Sequence, residues 1–258
     1  LWLIGGTVVV AFFSTVFVWW SGTIILLAVT RELNPTKTNY LMFLAVLCLV
    51  LGFFGIYFFG NRPSSDTIGA YGSFLSAICI WIWLESSFLT GWITGSRKSP
   101  CPKNLGGFKR LLYAFQAVVH HEIHICLLGF GIAIISWDSS NKIGLYAFLI
   151  LWVMRTSSKI NIFLGVRNLY TNFLPKDVLY LASYFRKSSC NPIFPFLLAL
   201  AITANLLFWN HALASYHQEG GLGNILLATL LTLGVLEHFL MVVPFDCNKI
   251  WQFGLSPK

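Results

Sequence analysis

Seven apolar runs, each long enough to cross a membrane as one helix, constrain the fold of this 258-residue chain more than any other feature. A bilayer core of about 30 Å needs roughly 20 mainly apolar residues per helix. Short polar segments rich in Pro, Asn, Ser or Gly separate the runs and predict turns between helices. The runs cover residues 1–29, 40–59, 68–94, 108–135, 143–164, 192–213 and 222–243.

The composition indicates that lipid, rather than water, surrounds most of the surface. Hydrophobic residues make up 57% of the chain and charged residues only 10%, whereas a typical soluble domain carries about 25% charged residues. Transmembrane β-strands would be about 9–11 residues long with alternating polarity, but these runs are longer and apolar on all sides. The sequence therefore predicts an all-α, polytopic membrane protein of about seven transmembrane helices, folded as a single domain over residues 1–258.

The distribution of basic residues predicts the orientation of the helices. Thirteen of the 17 Lys and Arg residues fall at one end of the spans, which faces the cytoplasm under the positive-inside rule. The amino terminus is then outside and the carboxyl terminus cytoplasmic. The net charge of +8 fits attraction to anionic lipid head groups, and no aromatic and basic surface outside the spans favours nucleic acid as a partner. The thirteen residues are Arg31, Lys37, Arg97, Lys98, Lys103, Lys109, Arg110, Arg167, Lys176, Arg186, Lys187, Lys249 and Lys258.

Ionisable side chains inside the spans form a second, smaller class of charges. Each costs at least about 2.5–3.5 kcal/mol at bilayer depth and is therefore a candidate functional group. Spans three, five and seven carry charges in their cytoplasmic halves, and a histidine cluster lies near the middle of span four. The charges are Glu85, Arg155, Lys159 and Glu237, and the cluster comprises His120, His121, Glu122 and His124.

Two interpretations of these polar residues concern helix ties and metal binding. Buried ion pairs between the glutamates and the two cations would hold helices together. A mixed nitrogen and carboxylate metal site would need three helices to converge, because helix geometry prevents the four polar residues of span four from binding one ion. The candidate metal ligands are Glu85, His121, Glu122, Glu237 and His238.

A third interpretation is a pigment site. Trp81, Glu85, Phe88 and Trp92 lie on one stripe of span three and would form an aromatic wall with a single carboxylate. A neutral histidine can bind the magnesium of a chlorophyll-type pigment, so this stripe together with a histidine of span four suggests a tetrapyrrole groove. The candidate cofactor-binding residues are Trp81, Glu85, Trp92, His121, Glu122, Arg155, Lys159 and Asn161.

Catalytic signatures do not occur in the sequence. It contains no Gly-x-Ser-x-Gly, Walker A, dinucleotide or His-Glu-x-x-His motif. An odd number of helices without repeated halves also argues against the common inverted-repeat transporters. These observations favour a protein that is not an enzyme.

Several separated motifs resemble one known family. They are Trp83-Leu84-Glu85-Ser86-Ser87-Phe88, Thr94-Gly95-Ser96-Arg97-Lys98, the stretch of residues 152–168, and Glu237-His238-Phe239. In this order they resemble the photosynthetic complex assembly protein family of the PuhE type, which is encoded near the reaction-centre H subunit in purple phototrophic bacteria. The resemblance covers most of the chain from the third helix onward.

The resemblance implies a multi-pass protein of the bacterial inner, or intracytoplasmic, membrane. It implies support for reaction-centre and light-harvesting complex assembly and for bacteriochlorophyll supply. The expected partners are membrane lipids and the subunits of those complexes, including the H subunit. The polar positions that match the family are Glu85, Arg97, Lys98, His121, Glu122, Arg155, Lys159, Asn161, Arg167, Asn168, Glu237 and His238.

We therefore expect a photosynthetic assembly factor that docks through helix faces and holds a polar core, with bacteriochlorophyll or a precursor as the candidate cofactor. The basic loops over residues 97–110 and 167–187 would meet cytoplasmic partners or lipid. Two alternatives stay open: a membrane metalloenzyme that acts on a pigment precursor or a quinone, and a permanent accessory subunit of the reaction-centre complex.

Overall fold

A computed structural model of the chain describes residues 2–31, 33–63, 65–215 and 221–244. Within these ranges seven α-helices are long and apolar enough to cross a membrane, and there is no β-strand element, so the expected all-α membrane fold is confirmed. Lys249 and Lys258 of the basic set lie outside the described residues. The helices are α1 (Trp2–Arg31), α2 (Pro35–Gly60), α3 (Thr67–Leu89), α4 (Gly107–Ile135), α5 (Ile143–Leu164), α6 (Phe194–Ala214) and α7 (Gly221–Val242).

Two helix boundaries differ from the sequence-based expectation, each for a local reason. α2 begins five residues early, because the Asn34 side chain accepts a hydrogen bond from the Lys37 N–H and Pro35 occupies the first helical turn. α3 was expected to continue to Thr94, which is wrong: the helix ends at Leu89, because Gly91 takes a left-handed backbone conformation (φ 74°) that ends a helix. The remaining boundaries agree within two residues.

Residues 90–98, which we call the return segment, follow α3 and run beside α4 toward the first residue of that helix. The His121 N–H donates to the Thr94 carbonyl at 2.8 Å, and the Arg97 N–H donates to the Gln116 carbonyl at 3.2 Å. These contacts lie roughly 14 to 21 Å along α4 from its first residue, at 1.5 Å per residue. The return segment is therefore bound to the backbone of α4 and extends beside the helix bundle.

Helices α3, α5 and α7 form the centre of the bundle and the other four pack around them. α2 lies against α3, α6 and α1 lie against α7, and α4 packs mainly on α5. The shared core contains fully buried side chains from all three central helices, including Phe74, Phe148 and Ile225. Close approach of α2 to α3 depends on Gly52, where an added Cβ would lie 2.8 Å from the Ser76 carbonyl oxygen.

The long connection between α5 and α6 folds into a cap over one end of the bundle. It contains a 3-10 helix, Lys176–Tyr184, which we call the cap helix. Val178, Leu181 and Tyr184 are buried and pack against the end of α3. The apolar pattern predicts only a connecting loop for this segment, so the cap is not expected from the sequence.

Two arginines expected to meet partners instead hold the cap in place. The Arg97 Nε donates to the Tyr184 hydroxyl at 2.9 Å, and its guanidinium stacks on the Tyr113 ring. Arg110 donates to the Tyr184 carbonyl at 2.6 Å and stacks on Phe163. Exposed basic residues remain at this end of the bundle, namely Lys37, Lys98, Lys103, Lys109, Arg167, Lys176, Arg186 and Lys187.

We predict that Gly95→Ala destabilises the fold. An added Cβ would overlap the Gln116 carbonyl oxygen and the Ala117 backbone, which cannot move without distorting α4. Overpacking of this kind costs about 1–3 kcal/mol. Thermal unfolding of the purified protein in detergent measures the effect.

Gly6→Ala is the control for the added methyl group, because Gly6 is exposed on α1 and an added Cβ there meets nothing within 4 Å. This substitution should not lower the unfolding temperature. Equal unfolding temperatures for Gly95→Ala and the wild type would contradict the described packing of the return segment.

Candidate functional site

A cavity of about 620 Å³ lies inside the bundle, between α1, α3, α4, α5, α7 and the cap helix. Its volume falls within the roughly 300–1,000 Å³ of typical small-molecule sites. Most of its wall is apolar, and Trp81, Phe88, Leu151 and Leu230 are among the residues that form it. A few polar side chains interrupt this wall, so the cavity suits a largely apolar molecule with a polar portion.

The two cations of α5 reach different neighbours across the cavity. Arg155 Nη2 lies 2.7 Å from Glu85 Oε2 on α3, and Lys159 Nζ lies 2.6 Å from Glu122 Oε1 on α4. Their spacing of four residues puts them one turn apart on the same face of α5. The structure thus shows the ion pairs that the charge inventory suggested, and all four side chains line the cavity.

A third carboxyl group, that of Glu237 on α7, lines the same cavity without an ion-pair partner. Its Oε1 accepts a 2.8 Å hydrogen bond from the indole N–H of Trp19 on α1. No Lys, Arg or His among the described residues lies within 4 Å of this carboxyl. This hydrogen bond ties α1 to α7 at the wall of the cavity.

The aromatic stripe expected on α3 is only partly formed. Trp81 and Phe88 line the cavity together with Glu85, and the Trp81 ring packs edge-on against Phe148 at 5.6 Å. Trp92 lies beyond the end of α3, is 53% exposed and does not line the cavity. The stripe loses this member because the helix stops at Leu89.

None of the described histidines lines the cavity. His121 is fully buried against the Phe88 ring, with a centroid distance of 4.4 Å, and neither ring nitrogen has a hydrogen-bond partner in the described part of the chain. His124 accepts a 2.8 Å hydrogen bond from the indole N–H of Trp83. His120 is exposed.

His238 links α7 to α5 with a defined ring tautomer. Its Nδ1 is 2.8 Å from the Gly234 carbonyl, which can only accept, so Nδ1 carries the proton. Nε2 therefore accepts the hydrogen bond from the Ser157 hydroxyl at 2.9 Å. Both ring nitrogens therefore form hydrogen bonds, one within α7 and one to α5.

Asn161 also has a packing role in the structure. It is fully buried, its side-chain N–H donates to the Ser157 carbonyl, and its Oδ1 accepts from Asn191 at 3.0 Å. The Asn191 Oδ1 in turn accepts from the Phe194 N–H and caps α6. Neither asparagine lines the cavity.

The candidate metal ligands do not form one group. In residues 2–31, 33–63, 65–215 and 221–244, no three His, Cys, Asp or Glu side chains come together in a way that could hold a metal ion. Glu85 and Glu122 are bound to cations, while His121 and His238 face away from the cavity. The five-residue metal site therefore stays a prediction without a preformed arrangement.

The sequence did not predict several residues of the cavity wall. Trp19 reads as an interfacial aromatic residue, and Tyr184 belongs to a segment that reads as a loop. Gly22 and Gly234 line the cavity and leave space in its wall. The sequence signal that could have found Trp19 is the Glu237 carboxyl group of span seven, because a carboxyl group at bilayer depth needs a hydrogen-bond donor from another span.

Comparisons with known proteins identify a family and add a genomic context. A family model described as "Protein of unknown function (DUF3623)" matches residues 6–258. A curated relative, the "Uncharacterized 30.4 kDa protein in puhA 5'region" of Rhodobacter capsulatus, is 33% identical over 245 residues, which cover 94% of this chain and 89% of the relative. No solved structure matches the chain.

We predict that removal of one member of the Glu122–Lys159 pair is costly, whereas removal of both is tolerated. Glu122→Gln leaves the Lys159 ammonium without its carboxylate, and loss of one partner of a buried pair costs about 3–5 kcal/mol. The double variant Glu122→Leu with Lys159→Met leaves no unpaired charge and should regain most of the lost stability. Unfolding in mixed detergent micelles gives the free energies.

Lys142 serves as a control for the loss of a cation, because it lies at the other end of the bundle beyond the cavity wall. Lys142→Met should leave stability nearly unchanged. If the double variant is as unstable as Glu122→Gln, the unpaired charge on Lys159 is not the cause of the lost stability.

Proposed function

The chain belongs to the DUF3623 family, and we propose that it is a membrane accessory factor of bacterial photosynthesis that holds a lipid-soluble pigment for assembly of the reaction-centre and light-harvesting complex. The pigment is bacteriochlorophyll or a precursor. The observation that carries the proposal is the largely apolar cavity inside the bundle, with aromatic walls and a cluster of charged side chains.

The photosynthetic context is supported by the relative from Rhodobacter capsulatus, whose name places it in the region 5' to puhA. The motifs from Trp83 to Phe88 and from Thr94 to Lys98 also resemble those of the assembly family. Both observations support a role in the process. The choice of ligand depends on the cavity.

The chemistry of the cavity wall suits a flat, apolar ring with oxygen-bearing substituents. Trp81 and Phe88 offer aromatic surfaces for stacking, and Arg155 offers its Nε–H, which has no partner among the described residues, as a donor near the polar portion. Since no described histidine lines the cavity, we propose that stacking and hydrogen bonds hold the pigment there. Magnesium in the pigment would supply an additional Lewis-acidic centre for a ligand from the wall.

Access from the bilayer is favoured by the position of α4. Leu111 and Phe115 both line the cavity and are 48% and 52% exposed, so the cavity reaches the outer surface of the bundle at this helix. The surface there is apolar. A pigment dissolved in the membrane would therefore enter sideways without crossing an aqueous loop.

Docking to protein partners would use the outer helices and the basic end. α6 is the least buried of the seven helices and carries exposed Leu200, Leu206 and Leu207. We propose that the end with the exposed basic residues faces the cytoplasm of the bacterial inner or intracytoplasmic membrane. There it would meet anionic lipid or subunits of the reaction centre, including the H subunit.

We predict that Gly22→Phe lowers the pigment content of the protein. Gly22 lines the cavity and an added Cβ meets nothing within 4 Å, so the phenyl ring has room to enter the cavity without a clash in α1. The protein is purified from a host that makes bacteriochlorophyll, and absorbance in the Soret region is divided by protein concentration. The wild type should carry pigment, and Gly22→Phe should lose most of it.

Gly6→Phe is the matched control on the same helix. Gly6 is exposed, lies outside the cavity wall and also has nothing within 4 Å of an added Cβ. It should retain wild-type absorbance. A wild-type protein that co-purifies with neither pigment nor reaction-centre subunits would overturn the proposed function.

A further inference from the structure

The charged groups of the cavity wall do not balance. Among the described residues, three carboxyl groups line it, those of Glu85, Glu122 and Glu237, but only two cations, Arg155 and Lys159. Each cation is within 2.7 Å of one glutamate, which leaves the Glu237 carboxyl without a counter-charge. An isolated carboxylate in an apolar cavity is strongly disfavoured, so either a proton or a cation must neutralise it.

The surroundings of Glu237 on every neighbouring helix supply no such cation from the described residues. α1 contributes the neutral Trp19 indole, and α3 and α4 contribute only carboxylates. On α5, Arg155 is near enough to act on Glu237 electrostatically, but its Nη2 is bound to Glu85. On α7, His238 points to Ser157 and the Gly234 carbonyl.

The polar portion of the cavity is also incomplete in hydrogen bonds. Arg155 Nε and Thr156 Oγ1 are buried, and neither has a partner among the described residues. Both residues line the cavity. Buried donors without partners are rare in native proteins and mark places where another molecule completes the structure.

From this imbalance we propose that the cavity binds an amphiphile whose head group brings one positive charge to the Glu237 carboxyl, while its apolar tail lies along the Trp81 and Phe88 wall. Arg155 Nε and Thr156 Oγ1 donate hydrogen bonds to an oxygen of the same head group.

This inference uses the cavity of the proposed function but goes beyond it, because a cationic amphiphile is a different ligand from the uncharged pigment and would compete with it for the same space. The Coulomb energy of an ammonium near a carboxylate at low effective dielectric constant is large enough for about tenfold or greater selectivity over an uncharged head group. The selectivity depends on the Glu237 charge alone. It is therefore separable from the affinity that the apolar wall supplies.

The test uses three probes with the same stearyl chain, brominated near its middle, and with an amine, an alcohol or a carboxylic acid as head group. Bromine quenches nearby tryptophan fluorescence, and Trp81 lies in the cavity wall. The part of the quenching that disappears in Trp81→Phe reports binding in the cavity. Purified protein in detergent is titrated with each probe at neutral pH.

We expect the amine to bind about tenfold or more tightly than the alcohol, and the acid to bind most weakly. Glu237→Gln keeps an oxygen for the Trp19 indole but removes the charge, so it should bind amine and alcohol almost equally. Trp19→Phe is the matched variant that keeps the carboxyl and removes its hydrogen bond, and it should retain the preference for the amine.

The outcomes separate this inference from the proposed function. Equal binding of amine and alcohol by the wild type, abolished by Gly22→Phe, would overturn the charge selectivity but leave an apolar ligand cavity. No Trp81-dependent quenching by any probe would overturn this inference, whereas the pigment content of the purified protein tests the proposed function independently. Retention of the amine preference in Glu237→Gln would assign the selectivity to another group and also overturn the inference.

Discussion

The arrangement of the bundle depends on two ion pairs placed where a membrane protein can least tolerate unpaired charge. Arg155 and Lys159 lie one turn apart on α5, and each reaches a glutamate on a different helix. Because a single charge at this depth is costly, α3 and α4 must both stay beside α5. The same two pairs keep the helices around a space that side chains do not fill.

The cavity results from this separation of helices together with the small residues and the cap. Gly22 and Gly234 leave room on α1 and α7, and the cap helix covers one end of the bundle. The cap is held by Arg97 and Arg110, which are stacked on aromatic rings and bonded to Tyr184. Charges at the basic end therefore serve two purposes, since some fix the cap and others remain exposed to lipid or partners.

Much of the fold could be predicted from the sequence, because long apolar runs have one solution in a bilayer. The ends of α5 follow directly from the apolar pattern, and the polar residues of spans three, four, five and seven point to contacts between those helices. Arg155 and Lys159, four residues apart, already predict two partners on one side of α5. Hydropathy therefore identifies both the spans and the charges that must meet.

The rest depends on contacts between residues far apart in sequence. The end of α3 at Leu89 is marked by Gly91, but the path of the return segment beside α4 depends on backbone hydrogen bonds to Gln116 and His121. The histidines and Asn161 have the residue types of ligands, but His238 and Asn161 are used in bonds to neighbouring helices and His121 is packed against Phe88. Whether a buried polar side chain faces a cavity or another helix is decided by rotation of the helix, which a sequence without amphipathic contrast does not specify.

We propose that the charged residues in the membrane both tie helices together and surround a ligand site. Native mass spectrometry of the protein, released from detergent after purification from a phototrophic host, tests it most directly. We expect a species heavier than the polypeptide by one small, lipid-soluble molecule, which is lost on collisional activation. A spectrum that contains only the mass of the bare chain, from protein that remains folded, would contradict it.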